Sequence, residues 1–245
     1  MASSWGRGSG RGPWWIAGVI VLGGVVALGG WLSRTGPQWQ AGDEATMALS
    51  PQEREALEAA GQRLAQALRD RDRAWREGGA AAMEQAQRAL NEVMGLGTRP
   101  TLRPEQIEAV LPAQLGGLPR QPSDTFGDAS LGAPSVSVST QYGDDAARRI
   151  ALSVSDTGGL SVWAVMAEWL RVAAEAQQAG RREIVRFEQG RVRREVEPAD
   201  ATPAQIHWVL ANGVAVEALA DGLDLDGLRA AMKDLDLAAL EGLRP

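Results

Sequence analysis

The residues Asp156-Thr157-Gly158-Gly159 are the first candidates for chemistry. Asp-Thr-Gly is the order in which paired aspartates share a proton and activate water for aspartic proteolysis. The chain holds a single copy, so the pair would need a dimer. Gly159 also stands where that chemistry has Ser or Ala, and Ser155 interrupts the apolar approach that buries the aspartate. A turn from strand to helix, with Asp156 or Thr157 capping and the glycines reversing the chain, explains the same residues and is preferred. Asp221, Asp224 and Asp226-Gly227 suggest a calcium loop, but the required frame falls on Gly222 and Lys233, so helix capping is expected and no metal. His207 is the chain's one histidine. With no second histidine to complete a base or ligand set, it reads as a packing or surface residue.

Arg181, Arg182, Arg186, Arg191, Arg193 and Arg194 form the densest basic stretch and could face anionic headgroups. Glu183, Glu188, Glu195 and Glu197 interleave with them, so a salt-bridged hairpin is expected instead. There is no phosphate-binding loop, dinucleotide fingerprint or nucleophile elbow, and no cofactor is expected. Absent cysteines exclude disulfides, thiolate metal sites and a cysteine nucleophile. With 25 basic against 31 acidic side chains in 245 residues, the net charge of -6 argues against nucleic acid as a partner.

Residues 14–32 run from Trp14 to Leu32 without a charge, long enough to cross a bilayer as a helix. Trp14, Trp15 and Trp31 mark its ends at headgroup level. Trp31, Leu32 and Arg34 follow where a signal-peptide cleavage site would need small residues, so an uncleaved anchor is expected. Arg7 and Arg11 precede the span and Arg34 stands alone after it. The positive-inside tendency then gives a cytoplasmic tail over 1–13 and a periplasmic remainder. Gly23, Ala27 and Gly30 share a helix face through which spans could pair as a homo-oligomer.

Beyond a linker at 33–49, Ser50-Pro51-Gln52-Glu53 signals a helix start. Leu57, Leu64, Leu68 and Trp75 form a narrow seam, Gly78-Gly79 breaks it, and Met83, Ala86, Leu90, Val93 and Met94 renew it. Residues 50–95 therefore read as a helical hairpin or stalk, and 96–104 as a second linker. From 105 to 245 an α+β domain is expected, an antiparallel sheet packed with helices. Its order is a short helix, strands around 135–142 and 150–154, a long helix over 160–179, four more strands and two closing helices. Gln189-Gly190 and Asn212-Gly213 are the hairpin turns, the latter a type I′ signal.

The succession LPAQLGGLPR, IALSVSDTGG, a Trp-bearing helix and the closing LDLAALEGL resembles an uncharacterised family of bacterial membrane-anchored envelope proteins. That resemblance spans roughly residues 101–245, implies an inner-membrane location with a periplasmic domain, and carries no activity. The expectation is a non-enzymatic, single-pass protein whose α+β domain binds a protein partner. Trp163, Trp169 and Trp208 are the candidate contact residues. The alternative is a binding module for a lipid or another apolar small molecule beneath the Trp163/Trp169 helix.

Overall fold

Two helices, α1 (Pro51–Glu77) and α2 (Ala80–Met94), form as the apolar spacing predicts. Ser50 starts α1 with a reciprocal capping box: its hydroxyl accepts from the Glu53 amide at 3.3 Å, and Glu53 accepts from the Ser50 amide at 2.7 Å. A computed structural model describes residues 49–129, 132–143, 148–198 and 203–245. The expected span over 14–32, with Trp14, Trp15 and Trp31, lies outside the described residues. Among those described, no helix is long and apolar enough to cross a membrane.

After α3 (Pro104–Val110) and a small ladder of β1 (Gln114–Leu115) and β2 (Leu118–Pro119), the chain builds β3 (Asp124–Asp128), β4 (Ser135–Tyr142) and β5 (Arg149–Asp156). The long helix α4 (Val162–Gln178) leads to β6 (Glu183–Glu188), β7 (Arg191–Val196), β8 (Ala204–Val209) and β9 (Ala215–Asp221). Helices α5 (Leu225–Ala231) and α6 (Leu237–Gly242) close the fold, capped by Asp224, one of the acids from which a cap is expected, and by Asp236. Among the described residues seven strands form one sheet in the order β3-β4-β5-β9-β8-β7-β6, every pair antiparallel. The α+β class is therefore as expected.

Alternation divides the sheet residues between two cores. Val138, Ile150, Leu152, Ile206, Val216 and Ala218 face α3, α5 and α6 on one side. Val185, Val192, Val209 and Ala215 face α4 on the other. Leu57, Leu64, Leu90 and Met94 of the hairpin join that second core. The hairpin expected as a stalk thus lies on α4 as an outer layer, because its seam of leucines finds an apolar face to cover. Trp75 does not belong to that seam; it is 78% exposed.

Two turns exchange their expected roles. Asn212 is absent from the positive-φ residues and Gly213 alone has φ 80°, so the β8–β9 loop is not type I′. The Leu210 amide donates to the Val214 carbonyl at 2.9 Å, and the Gly213 amide to the Leu210 carbonyl at 2.9 Å. That pattern is a three-residue loop ending on a left-handed glycine. Gln189 (φ 55°) and Gly190 (φ 77°) are the pair with both positive angles a two-residue I′ loop requires.

Strand β3 lies in a stretch that reads as loop. All five of its residues are exposed, so neither face carries the apolar alternation by which a strand is recognised.

Candidate functional site

Asp156 sits at the end of β5 with its side chain fully buried. Its carboxylate accepts from both Arg99 terminal nitrogens at 2.9 Å, from the Leu102 amide at 2.7 Å and from the Gly158 amide at 3.1 Å. Both oxygens are thus engaged by the loop that precedes α3, leaving no lone pair aimed at an approaching substrate. The expected capping role passes to Ser161, whose hydroxyl accepts from the Ala164 amide at 3.3 Å. The glycines earn their place by contact: at Gly158 (φ 70°) a side chain would collide with the Arg99 carbonyl. The Gly97 and Arg99 amides donate to the Thr157 and Gly158 carbonyls at 2.9 and 2.8 Å. Residues 96–104, expected as a linker, are a strap sewn to the β5–α4 turn.

His207 and Glu217 face each other across β8 and β9, with Nδ1 and Oε1 3.6 Å apart. The same register line continues to Arg194 on β7 and Ser153 on β5, so a polar row crosses the sheet beneath α4. Arg194 is held by Glu183 at 2.6 Å, and the His207 ring lies 6.1 Å from that of Trp169. Burial leaves both groups uncharged near neutrality. It holds the histidine down to about 3, with Arg194 adding to the effect, and pushes Glu217 up to about 8 against the pull of Arg194. Glu217 Oε2 is buried without a hydrogen-bond partner. The row is sealed: His207 is 6% and Glu217 3% exposed, so it can tune the packing of α4 but cannot meet a substrate.

The Trp residues singled out in the sequence do not share a surface. Trp169 is buried under α4 and Trp208 on the opposite side of the sheet. Trp163 is half-buried and stacks on Phe187 with ring centroids 4.6 Å apart. Trp208 does contribute to an open groove of about 1040 Å³, floored with Ile206, Met232 and Leu235 and flanked by Arg193 and Arg229. Both arginines are tied to the buried Glu195. Among the described residues no cluster of His, Cys, Asp or Glu could hold a metal ion.

The sheet's β6 edge is the feature that sequence reading did not reach. The I′ loop at Gln189-Gly190 closes on the pair Glu188↔Arg191. Counting back in twos, Arg186 and Ile184 turn their backbone groups toward β7. The Glu197 amide donating to the Arg182 carbonyl at 3.2 Å keeps the same alternation. Glu183, Val185 and Phe187 therefore orient their N–H and C=O groups outward, where the sheet ends among the described residues. Exposure agrees at the two ends of this row: the Glu183 side chain is 2% exposed while the residue as a whole is half-buried, so what meets solvent there is its backbone, and Phe187 is half-buried, whereas Val185 between them is 4% exposed. Beside this edge runs a groove of about 760 Å³ between β6 and the second half of α4, with Leu170, Ala173, Val185 and Phe187 along it. Arg181, Arg182 and Arg186 lie on its rim. The salt-bridged hairpin expected for this basic stretch is present, since Arg182 pairs with Glu197, Arg193 with Glu195 and Arg194 with Glu183, while Arg191 instead reaches Glu241 on α6. Arg181 and Arg186 form no ion pair with any described residue. No protein-family model, curated protein or solved structure matches the chain.

Proposed function

We propose that the chain is a non-enzymatic, membrane-anchored envelope protein whose α+β domain binds a protein partner. The observation that carries this reading is the groove between α4 and the open edge of β6. There apolar side chains, backbone groups with no strand partner among the described residues, and exposed arginines occur together, the combination by which extended segments of other proteins are recognised. The chemistry-bearing residues elsewhere support the same reading: the Asp156 carboxylate is saturated by Arg99 and backbone amides, and the His207–Glu217 pair is sealed. The anchor rests on the charge-free run from Trp14 to Leu32. A lipid or apolar small molecule is the second reading, favoured by the groove that Trp208 and Met232 line on the opposite side of the sheet.

The test places a photo-activatable residue at Arg186 in the full chain, irradiates intact cells, and compares the adducts with those from the exposed Arg54 on α1. A discrete protein adduct at 186 and none at 54 supports the partner reading. A stoichiometric small molecule retained by the purified chain in native mass spectrometry, with no protein adduct at 186, replaces it with the second.

A further inference from the structure

We infer that the β6 edge takes an extended segment of that partner, alternating apolar and acidic residues, as an added strand of the sheet; this rests on the partner reading above. The outward orientation of Glu183, Val185 and Phe187 sets the geometry, with the half-buried Glu183 and Phe187 as its accessible ends and the buried Val185 between them. A strand laid along them forms the ladder that β6 lacks on this side, and its side chains alternate between the two faces of the sheet.

The two faces differ in chemistry. Val185 and Phe187 point to the α4 side, where Leu170 and Ala173 complete an apolar wall. An added strand must therefore put apolar side chains there. Arg182 and Arg186 belong to the alternate positions of β6 and so lie on the opposite face, both exposed. Arg182 reaches Glu197 at 3.2 Å, but its side chain remains 72% exposed, so its charge is still available to a neighbour. Glu183 is neutralised by Arg194 and Glu195 by Arg229 with help from Arg186, so Glu188, 3.9 Å from Arg193, and Glu197, beside Arg182, are the remaining acidic groups set against Arg181, Arg182 and Arg186. The rim is positive in balance, and side chains of the added strand on this face find their best partners as carboxylates. A second copy of the chain would bring the same positive excess to the contact, so the occupant is a different, acidic segment.

The experiment uses the full chain in mild detergent and three short synthetic peptides. One alternates valine with glutamate, one valine with lysine, and one repeats the first with every second amide N-methylated to remove ladder donors. The glutamate peptide is expected to bind about tenfold or more tightly than the lysine peptide. It should also slow amide exchange at Glu183 and Phe187 while leaving Ile184 and Arg186 unchanged. The methylated peptide should not bind. Reversing both rim charges, Arg182→Glu with Arg186→Glu, should reverse the preference toward lysine, with the far-ultraviolet circular dichroism unaltered.

Equal binding of both charged peptides, or no added protection at the Glu183 and Phe187 amides, overturns the inference. So does concentration-dependent pairing of the chain through this edge that the glutamate peptide fails to displace. A protein adduct at 186 alongside these failures means that the partner docks by side chains alone, and the partner reading survives. Absence of the adduct removes both.

Discussion

Replacing Glu217 by glutamine should abolish a loss of stability that the wild-type chain suffers on going from pH 6.5 to about 8. The glutamine keeps the shape of the protonated acid that the buried site favours. In the folded chain burial pushes the Glu217 carboxyl up to about 8, against 4.5 when unfolded. Between those values the folded state holds a proton that the unfolded state has released, so stability falls as pH rises through the window. The gap between 8 and 4.5, at about 1.4 kcal/mol per pH unit, sets a ceiling of about 5 kcal/mol on the whole effect.

His207 works in the opposite sense, because burial holds it down to about 3 while the unfolded side chain titrates at 6.5. Its contribution grows as pH rises from about 3 and is complete above 6.5. The two slopes offset each other between about 4.5 and 6.5, which gives a plateau. Above it the glutamate alone acts, and the net loss from pH 6.5 to 8 is about 1–2 kcal/mol. Carboxylates whose titration is lowered by arginines, Glu195 and Glu241, are already ionised throughout this window. Urea denaturation of residues 49–245, followed by tryptophan fluorescence at several pH values, reads the effect as a midpoint that falls above pH 6.5 in wild type and stays level in Glu217→Gln. A wild-type midpoint level from pH 6.5 to 8.5, or a variant that falls in parallel, would refute the reasoning, because the buried acid would then be ionised without cost.

Asp156→Ala should destabilise the chain by about 3–5 kcal/mol in the same urea experiment, since it strands the Arg99 guanidinium and the Leu102 amide together; a change under about 1 kcal/mol contradicts the strap. Ser161→Ala should cost about 1 kcal/mol by removing the α4 cap, and thermal melting detects it. A chain starting at Thr98 should bind a hydrophobic dye and unfold without a sharp transition, because α4 loses the leucines of α1 and α2 that cover it, whereas one starting at Leu49 should unfold cooperatively.

Features that depend on local spacing were readable from the sequence. The alternation of Val136, Val138, Ile150, Leu152 and Val154 located β4 and β5, and Asp224 and Asp236 cap the helices they precede. What escaped depends on partners distant along the chain. Arg99 meets Asp156 across 57 positions, so neither the strap nor the saturation of the Asp-Thr-Gly carboxylate has a local signature. Strand β3 is exposed on both faces and shows no pattern to find. Asn-Gly is the commoner I′ pair, yet the Asn212 carbonyl accepts from Arg99 and its side-chain nitrogen donates to the Leu240 carbonyl. Those tertiary bonds accompany the longer loop, while the less typical Gln189-Gly190 takes the tight turn.

The character of the β6 edge comes from strand order. The sequence EIVRFE reads as half of a salt-bridged hairpin, and within the hairpin alone β6 and β7 are equivalent. The sheet makes them unequal: β7 gains β8 as a second neighbour and β6 gains none among the described residues. Placing α4 immediately before β6 then lays an apolar wall beside the unpaired edge, because the short Ala179–Arg182 connection keeps helix and strand adjacent. Open edges ordinarily invite indiscriminate pairing, and arginines at alternate positions counter that by repelling a copy of the same strand. Arg182 and Arg186 have that effect here while leaving carboxylates welcome, so under the proposed strand addition the same charges that protect the edge would also select its partner.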